Sequence, residues 1–428
     1  MKYTKSKYLF DFLDEGMHIV YSMMTTSFIA LEDDKYNALM QNELQMFTDD
    51  ELDALLQMGF VYDAAESEFA LIQQKRNRAF RMQAEKDDQL SLVVLPTTEC
   101  NARCYYCYEH GIKKEFMSNE TADSIVEFIK NRANKVHIKW FGGEPTLAPE
   151  LIDRICGSLA GLDIEFATSF VSNGYLLNEE FVDKAINDWN FKSVQITIDA
   201  VGEEYNKIKN YVYSGENSPF DIVMNNIKTL IEKKVYVNIR INYNPIYYQK
   251  AIEVIDYIHQ AIGVNEYLVV YASSLTGEHI KRLIDYNDDF NPQIEIYKHL
   301  INRGYLKELD MMNLYPRLLN CTIHYDNAYI IDTRGKLYKC QHSIINQEKD
   351  SIGTLTSQER YEDILKKWDS LNFSYEECQE CKYLPICLGG CRFYALNNEK
   401  FYACYQLKNS FISLIKMLYE KFIKGGAI

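Results

Sequence analysis

The spacing of apolar and polar positions changes character along the chain. From residue 1 to about 85 alternating runs come first, at Tyr8–Leu13 and His18–Leu31, and helical spacing follows at Asp33–Gln41 and Thr48–Met58, with Thr48 placed to cap the second helix. This order predicts a small β-then-α unit. Glu66–Gln89, which contains QQKRNRAFRMQAEKDDQ, shows little one-sided apolar periodicity and reads as a helical connector.

Between residues 90 and 272 short apolar runs alternate with amphipathic stretches. The strand-like runs are Leu92–Pro96, Val136–Phe141, Phe166–Val171, Val194–Ile198, Tyr236–Tyr243 and Tyr267–Tyr271. Helical spacing separates them at Asn119–Asn131, Pro149–Ala160, Asn178–Asn187, Phe220–Lys234 and Ala251–Ile262. Strands alternating with helices predict parallel βα units, hence an α/β fold. Six such units (the strand runs above) suggest a partial (β/α)6 barrel, whose chemistry belongs at the C-terminal strand ends. Residues 273–320 read as a polar, largely helical bridge, and residues 321–428 as a cysteine-dense region closing on a helix at Ser410–Lys424.

A chain of 428 residues with 47% hydrophobic content fills a core of ordinary size. A net charge of −15 repels polyanions, so no nucleic-acid partner is expected. Neither an export signal in MKYTKSKYLF nor a run of about 18 apolar residues is found, so no membrane span and a cytoplasmic location are expected. The 33 tyrosines are assigned no role as a group, since scattered tyrosines are ordinarily packing residues. Eleven cysteines are the wrong count for a closed disulfide framework and point to metal ligation.

Three of these cysteines, Cys100, Cys104 and Cys107, stand just after the first barrel strand as C-x3-C-x2-C. Three thiolates cannot close a four-coordinate zinc site without a remote fourth ligand such as His110, whereas on a 4Fe-4S cluster they leave one iron open. The spacing, with aromatic Tyr106 before the third cysteine, resembles the signature of radical S-adenosylmethionine (SAM) enzymes. Two further elements strengthen the resemblance: Gly142-Gly143-Glu144-Pro145 after the second strand is similar to that family's GGEP element, and Ser172-Asn173-Gly174 after the third is similar to its ribose-contacting element.

The resemblance implies that the open iron chelates the amino and carboxylate groups of SAM. Glu144 would accept from the ammonium, Ser172 and Asn173 would bind the ribose, and the two glycines would let backbone approach the ligand. After Asp199, relatives often have a glycine and later an arginine for the SAM carboxylate, where this chain has Ala200 and Lys209. Lys209 supplies charge without a bidentate fork, and Arg240 on the fifth strand is the rival. In such enzymes SAM is cleaved reductively and the resulting adenosyl radical removes a substrate hydrogen, with electrons from a donor such as flavodoxin or ferredoxin.

The remaining group runs Cys321, Cys340, then Cys378-x2-Cys381-x5-Cys387-x3-Cys391, then Cys404. A zinc ribbon would use four of them and leave the others without a reason. The pattern resembles the SPASM domain, which holds two auxiliary 4Fe-4S clusters in its relatives and would bring the total to three. By that resemblance Cys321, Cys340 and Cys391 hold the first auxiliary cluster, and Cys378, Cys381, Cys387 and Cys404 the second. Seven thiolates are one short of eight. Relatives with a complete first cluster carry a further cysteine upstream, where this chain has only Tyr315 to Asn320, so the vacant iron is left to a substrate thiolate, water, His324 or His342. Cys156 on Leu151–Ala160 reads as a small buried hydrophobe.

SPASM relatives modify peptides or proteins, and residues 1–85 resemble the winged-helix-like leader-recognition unit of enzymes that mature ribosomal peptides, although plain packing against the barrel also accounts for them. The leading expectation is an oxidoreductase that crosslinks a leader-bearing precursor peptide through a thioether or a carbon-carbon bond. The alternative is formylglycine formation of the anaerobic sulfatase-maturing type, whose members typically carry Asp where this chain has Gln341 after Cys340. A simple iron-sulfur electron carrier would leave the GGEP and SNG elements unused.

Overall fold

A computed structural model describes residues 2–84, 89–213, 215, 217–275, 291–306, 321–357, 362–368, 376–398, 400, 404 and 410–425. The six strands expected between residues 90 and 272 form one parallel sheet in chain order: Gln89–Thr97, Lys135–Gly142, Glu165–Ser172, Phe191–Thr197, Tyr236–Tyr243 and Leu268–Ser274. Helices return the chain between them. Asn119–Lys130 starts where Ser118 accepts from Thr121 N and lays Ala122, Ile125, Val126, Phe128 and Ile129 against the sheet. Asn178 caps Glu179–Trp189 in the same way. One helix was not expected, Gly202–Lys209, which puts Lys209 beside the cysteine loop.

Strand residues alternate between two cores because both faces of the parallel sheet are covered. Leu92 and Val94 pack under the outer helices, while Val93, Leu95 and Phe141 meet Ile330, Tyr338 and Ile344 on the inner side. The latter three come from the cysteine-dense region. Its first strand, Ala328–Ile331, pairs in parallel with Gln89–Thr97, and Lys336–Tyr338 and Gly353–Thr354 follow, so the barrel sheet grows to nine strands. The expected boundary near residue 321 therefore does not interrupt hydrogen bonding. Within the bridge the helix Pro292–Asn302 is present, while residues 276–290 and 307–320, including Tyr315 to Asn320, lie outside the described residues.

In the N-terminal unit the run His18–Leu31 is two strands rather than one. Leu9–Asp14, Met17–Ser22 and Ser27–Leu31 form an antiparallel sheet, and the chain reverses through left-handed Glu15 and Gly16 and again at Thr26. Thr48 and Glu51 make a capping box on the helix Asp49–Gln57. One sheet face (Leu9, Val20, Leu31) packs on the unit's own helices. The other docks on the C-terminal helix Phe411–Leu418 and its continuation, with Phe10 at 4.5 Å from Phe411 and Phe12 at 5.6 Å from Tyr419 between ring centres.

Candidate functional site

Three sequence-distant elements meet at the C-terminal ends of the first three barrel strands. Gly143 N donates to Thr97 O and Glu144 N to Glu99 O, which brings the GGEP turn against the segment leading to Cys100. The approach is as close as backbone permits. A Cβ on Gly142 would stand 2.3 Å from Thr97 O, and one on Gly143 would stand 2.1 Å from Glu99 O. These glycines thus serve contact between two protein segments.

Glu144 is 1% exposed and acts as the knot of this region. Its Oε1 accepts from Thr146 Oγ1 (2.7 Å) and Ser172 Oγ (2.9 Å), and its Oε2 accepts from Asn173 N (2.7 Å). Burial raises its pKa, and the donors from Asn173, Thr146 and Ser172 pull it back. Pro145 opens the short turn that follows. Asn173 Nδ2 donates to Asn101 Oδ1 at 2.6 Å, so the third strand end also grips the residue after Cys100.

Opposite stands a second buried network. Lys209 Nζ lies 2.7 Å from Asp199 Oδ2 and 2.9 Å from the Tyr106 hydroxyl, which itself donates to Asp199. Burial works against the Lys209 charge, but Asp199, Tyr106 and Tyr205 outweigh it and hold the ammonium well above its ordinary pKa. The Lys209 carbonyl accepts from Arg103 N at 2.8 Å, inside the cysteine loop. Arg240 instead donates to Asn242 and Ser273 and has no carboxylate partner among the described residues. The tyrosines set aside in the sequence return here: Tyr205 and Tyr211 hydroxyls are 3.1 Å apart, and Tyr211 donates to Asn173 O. Asn101, Tyr205 and Tyr211 were missed; adjacency to Cys100 was the available signal for Asn101, and none marked the other two.

Cys100, Cys104 and Cys107 are brought together, and burial, then Glu144, with the two neighbouring cysteines also contributing, pushes the Cys100 thiol up to about 12. Cys340 is likewise pushed up to about 12, by burial first and by nearby Cys321 and Cys391. Cys378, Cys381 and Cys387 share one tightly turned ribbon, Cys381 N donating to Cys378 O and Leu384 N to Cys381 O. Cys404 is half-buried and Cys156 is buried in the helix Pro149–Ala160.

Among the described residues no three His, Cys, Asp or Glu side chains close on one point as ligands of a single metal ion would. A four-iron cluster asks for something else, one thiolate at each of several iron corners. One of the sulfurs already shows a feature suited to that use: Ala102 N donates to Cys100 Sγ (3.4 Å), and hydrogen bonds of this kind stabilise and tune a metal-bound thiolate.

The two sets approach each other through rings. The Tyr108 and His342 ring centres are 5.1 Å apart, and Phe393 stands 5.3 Å from His342. Burial lowers the His342 pKa and nearby Arg240 lowers it further.

Residues 94–287 match the model of the Radical SAM superfamily. A cysteine-type anaerobic sulfatase-maturating enzyme of Clostridium perfringens is 22% identical over 333 residues, 71% of this chain and 89% of that protein. Among solved structures, anSMEcpe with bound AdoMet and Cp18Cys peptide superposes with a TM-score of 0.58 at 18% identity, covering 78% of this chain and 97% of that one. Streptococcus suis SuiB bound to S-adenosylmethionine superposes with a TM-score of 0.52 at 15% identity, covering 95% of this chain and 99% of the other. At these identities the likeness shows the shared fold.

Proposed function

We propose, for a chain whose residues 94–287 match the Radical SAM superfamily, that it is a peptide maturase installing a thioether or carbon-carbon crosslink in a ribosomal precursor peptide. Cys100, Cys104 and Cys107 would hold the 4Fe-4S cluster that, when bound, supplies the electron for reductive SAM cleavage. Lys209 and Tyr106 fix the loop carrying these thiols, and Arg240 offers its charge to the SAM carboxylate. Cys321, Cys340 and Cys391 would hold an auxiliary cluster with an open iron, and Cys378, Cys381, Cys387 and Cys404 another.

The observation that carries the reading is the contact of Tyr108, next to Cys107, with His342, two residues after Cys340. It makes the two cysteine sets neighbours, so a peptide thiol held at the second would lie close to a radical made at the first, and proximity of this kind replaces a costly encounter. The strand Ser27–Leu31 pairs on one side only among the described residues, which leaves an edge for an extended leader. The similarity to the sulfatase-maturating enzyme supports a second reading, formylglycine formation.

The product separates the two. Anaerobically reconstituted protein, holding about twelve irons, is given the small peptide encoded beside its gene and, separately, a sulfatase-derived cysteine peptide. Loss of two hydrogens from the first, with its cysteine becoming unreactive to alkylation, is the expected result. Exchange of sulfur for oxygen with loss of two hydrogens in the second would replace this reading by the other. Protein that binds zinc and little iron would remove both.

A further inference from the structure

The row of side chains by which the N-terminal sheet docks on the C-terminal region begins with Tyr8. Tyr8 directly precedes the strand Leu9–Asp14 and stays joined to the sheet, its carbonyl accepting from Met23 N, and it shares a core with Phe10 and Phe12. Phe10 touches Tyr383 at 5.3 Å, Lys382 Nζ lies 5.7 Å from the Phe10 ring centre, and Lys7 Nζ donates to Gln379 O (2.8 Å) and Glu380 Oε2 (3.2 Å). The N-terminal unit thus sits directly on the ribbon carrying Cys378, Cys381 and Cys387.

Within this contact the Tyr8 side chain is fully buried and its hydroxyl has no hydrogen-bond partner among the described residues. A buried hydroxyl left unpaired carries a desolvation cost, so a partner is to be sought. Burial first, and then Glu68, Glu380, Cys381 and Tyr62, raise the hydroxyl's pKa. Glu68 is engaged by Ser6 Oγ and Lys7 N, and Glu380 by Lys7. Cys381 stands between Glu380, which Lys7 contacts, and Tyr383, which packs on Phe10, and its sulfur becomes a strong acceptor once it binds iron, because metal binding makes it a thiolate.

Resting on the reading that Cys378, Cys381, Cys387 and Cys404 hold an auxiliary cluster, we propose that the Tyr8 hydroxyl donates a hydrogen bond to the Cys381 thiolate of that cluster. Tyr8 is then a positioning residue supplied by the N-terminal unit to a redox centre of the C-terminal one. Hydrogen bonds to cluster sulfurs favour the more negative, reduced state and raise the potential. Anything that shifts the strand Leu9–Asp14 shifts this donor with it.

The test uses the full chain with Cys100, Cys104 and Cys107 changed to alanine, so that only auxiliary clusters remain. Redox titration followed by electron paramagnetic resonance, and resonance Raman spectra of the iron–thiolate stretches, are recorded with and without Tyr8→Phe. Expected are unchanged iron content, one cluster shifted to more negative potential with altered stretches, and the other cluster unmoved. In iron-free protein the same substitution should raise Tm, since it deletes an unpaired polar group. Unchanged potentials and stretches in a Tyr8→Phe protein with full iron overturn the proposal. The underlying reading is tested apart from it: Cys378→Ala with Cys381→Ala must lower iron content, and if iron is retained the assignment of these cysteines fails whatever Tyr8 does.

Discussion

Lys209 and Asp199 form an ion pair of 2.7 Å whose side chains are 3% and 2% exposed, between the helix Gly202–Lys209 and the end of the fourth barrel strand. The pair also holds the Tyr106 hydroxyl, one residue before Cys107. A cation so committed contributes to the cysteine loop's position and has little charge left for a ligand.

Two substitutions should therefore behave in opposite ways. Lys209→Met leaves Asp199 buried without its partner, and we predict a loss of about 3–5 kcal/mol in the denaturant-unfolding free energy of the iron-free chain. Asp199→Asn together with Lys209→Met should cost less than the two singles added. Arg240→Gln should leave stability nearly unchanged and weaken SAM binding by about tenfold, roughly 1.4 kcal/mol by calorimetry. The reverse pattern would return the SAM carboxylate to Lys209.

Gly143 and Gly157 make a paired test of backbone contact. A Cβ at Gly143 strikes the carbonyls of Glu99 and Thr98, whereas one at Gly157, on the exposed side of the helix Pro149–Ala160, meets nothing within 4 Å. Gly143→Ala should lower Tm and iron uptake together, because it pushes the GGEP turn from the Cys100 segment. Gly157→Ala should stabilise the protein by about 0.5–1 kcal/mol with iron content unchanged.

Glu109 is 4% exposed, one of its oxygens has no partner among the described residues, and burial raises its pKa to about 7 against the pull of Lys114. The folded chain thus holds this proton more tightly than the unfolded chain. Its contribution to stability is full below about pH 4.5 and is lost as pH rises through about 7, about 3 kcal/mol in all. Measured on iron-free protein, Glu109→Gln should gain on the parent chain by that amount across this range. A difference independent of pH would show that Glu109 titrates normally.

The sequence by itself determined the six βα units, because alternation of strand and helix periods is a local property, and it determined the capped helix that begins at Thr48. It also marked the thiols and the GGEP and SNG elements, since their spacing is covalent. Strand ends of a parallel sheet lie side by side, so motifs that follow successive strands must meet. What the tertiary structure decided were relationships between residues with no such rule. That Glu144 is held by Ser172 and Asn173 rather than left open, that Lys209 is spent on Asp199, and that Ala328–Ile331 joins the barrel sheet all depend on how separate segments pack. The docking of Phe10 on Tyr383, which sets the N-terminal sheet on the cysteine ribbon, is of the same kind. No periodicity records that a strand near the start of the chain will lie on a ribbon some 370 residues later, because the apolar face that drives docking is satisfied by any complementary surface.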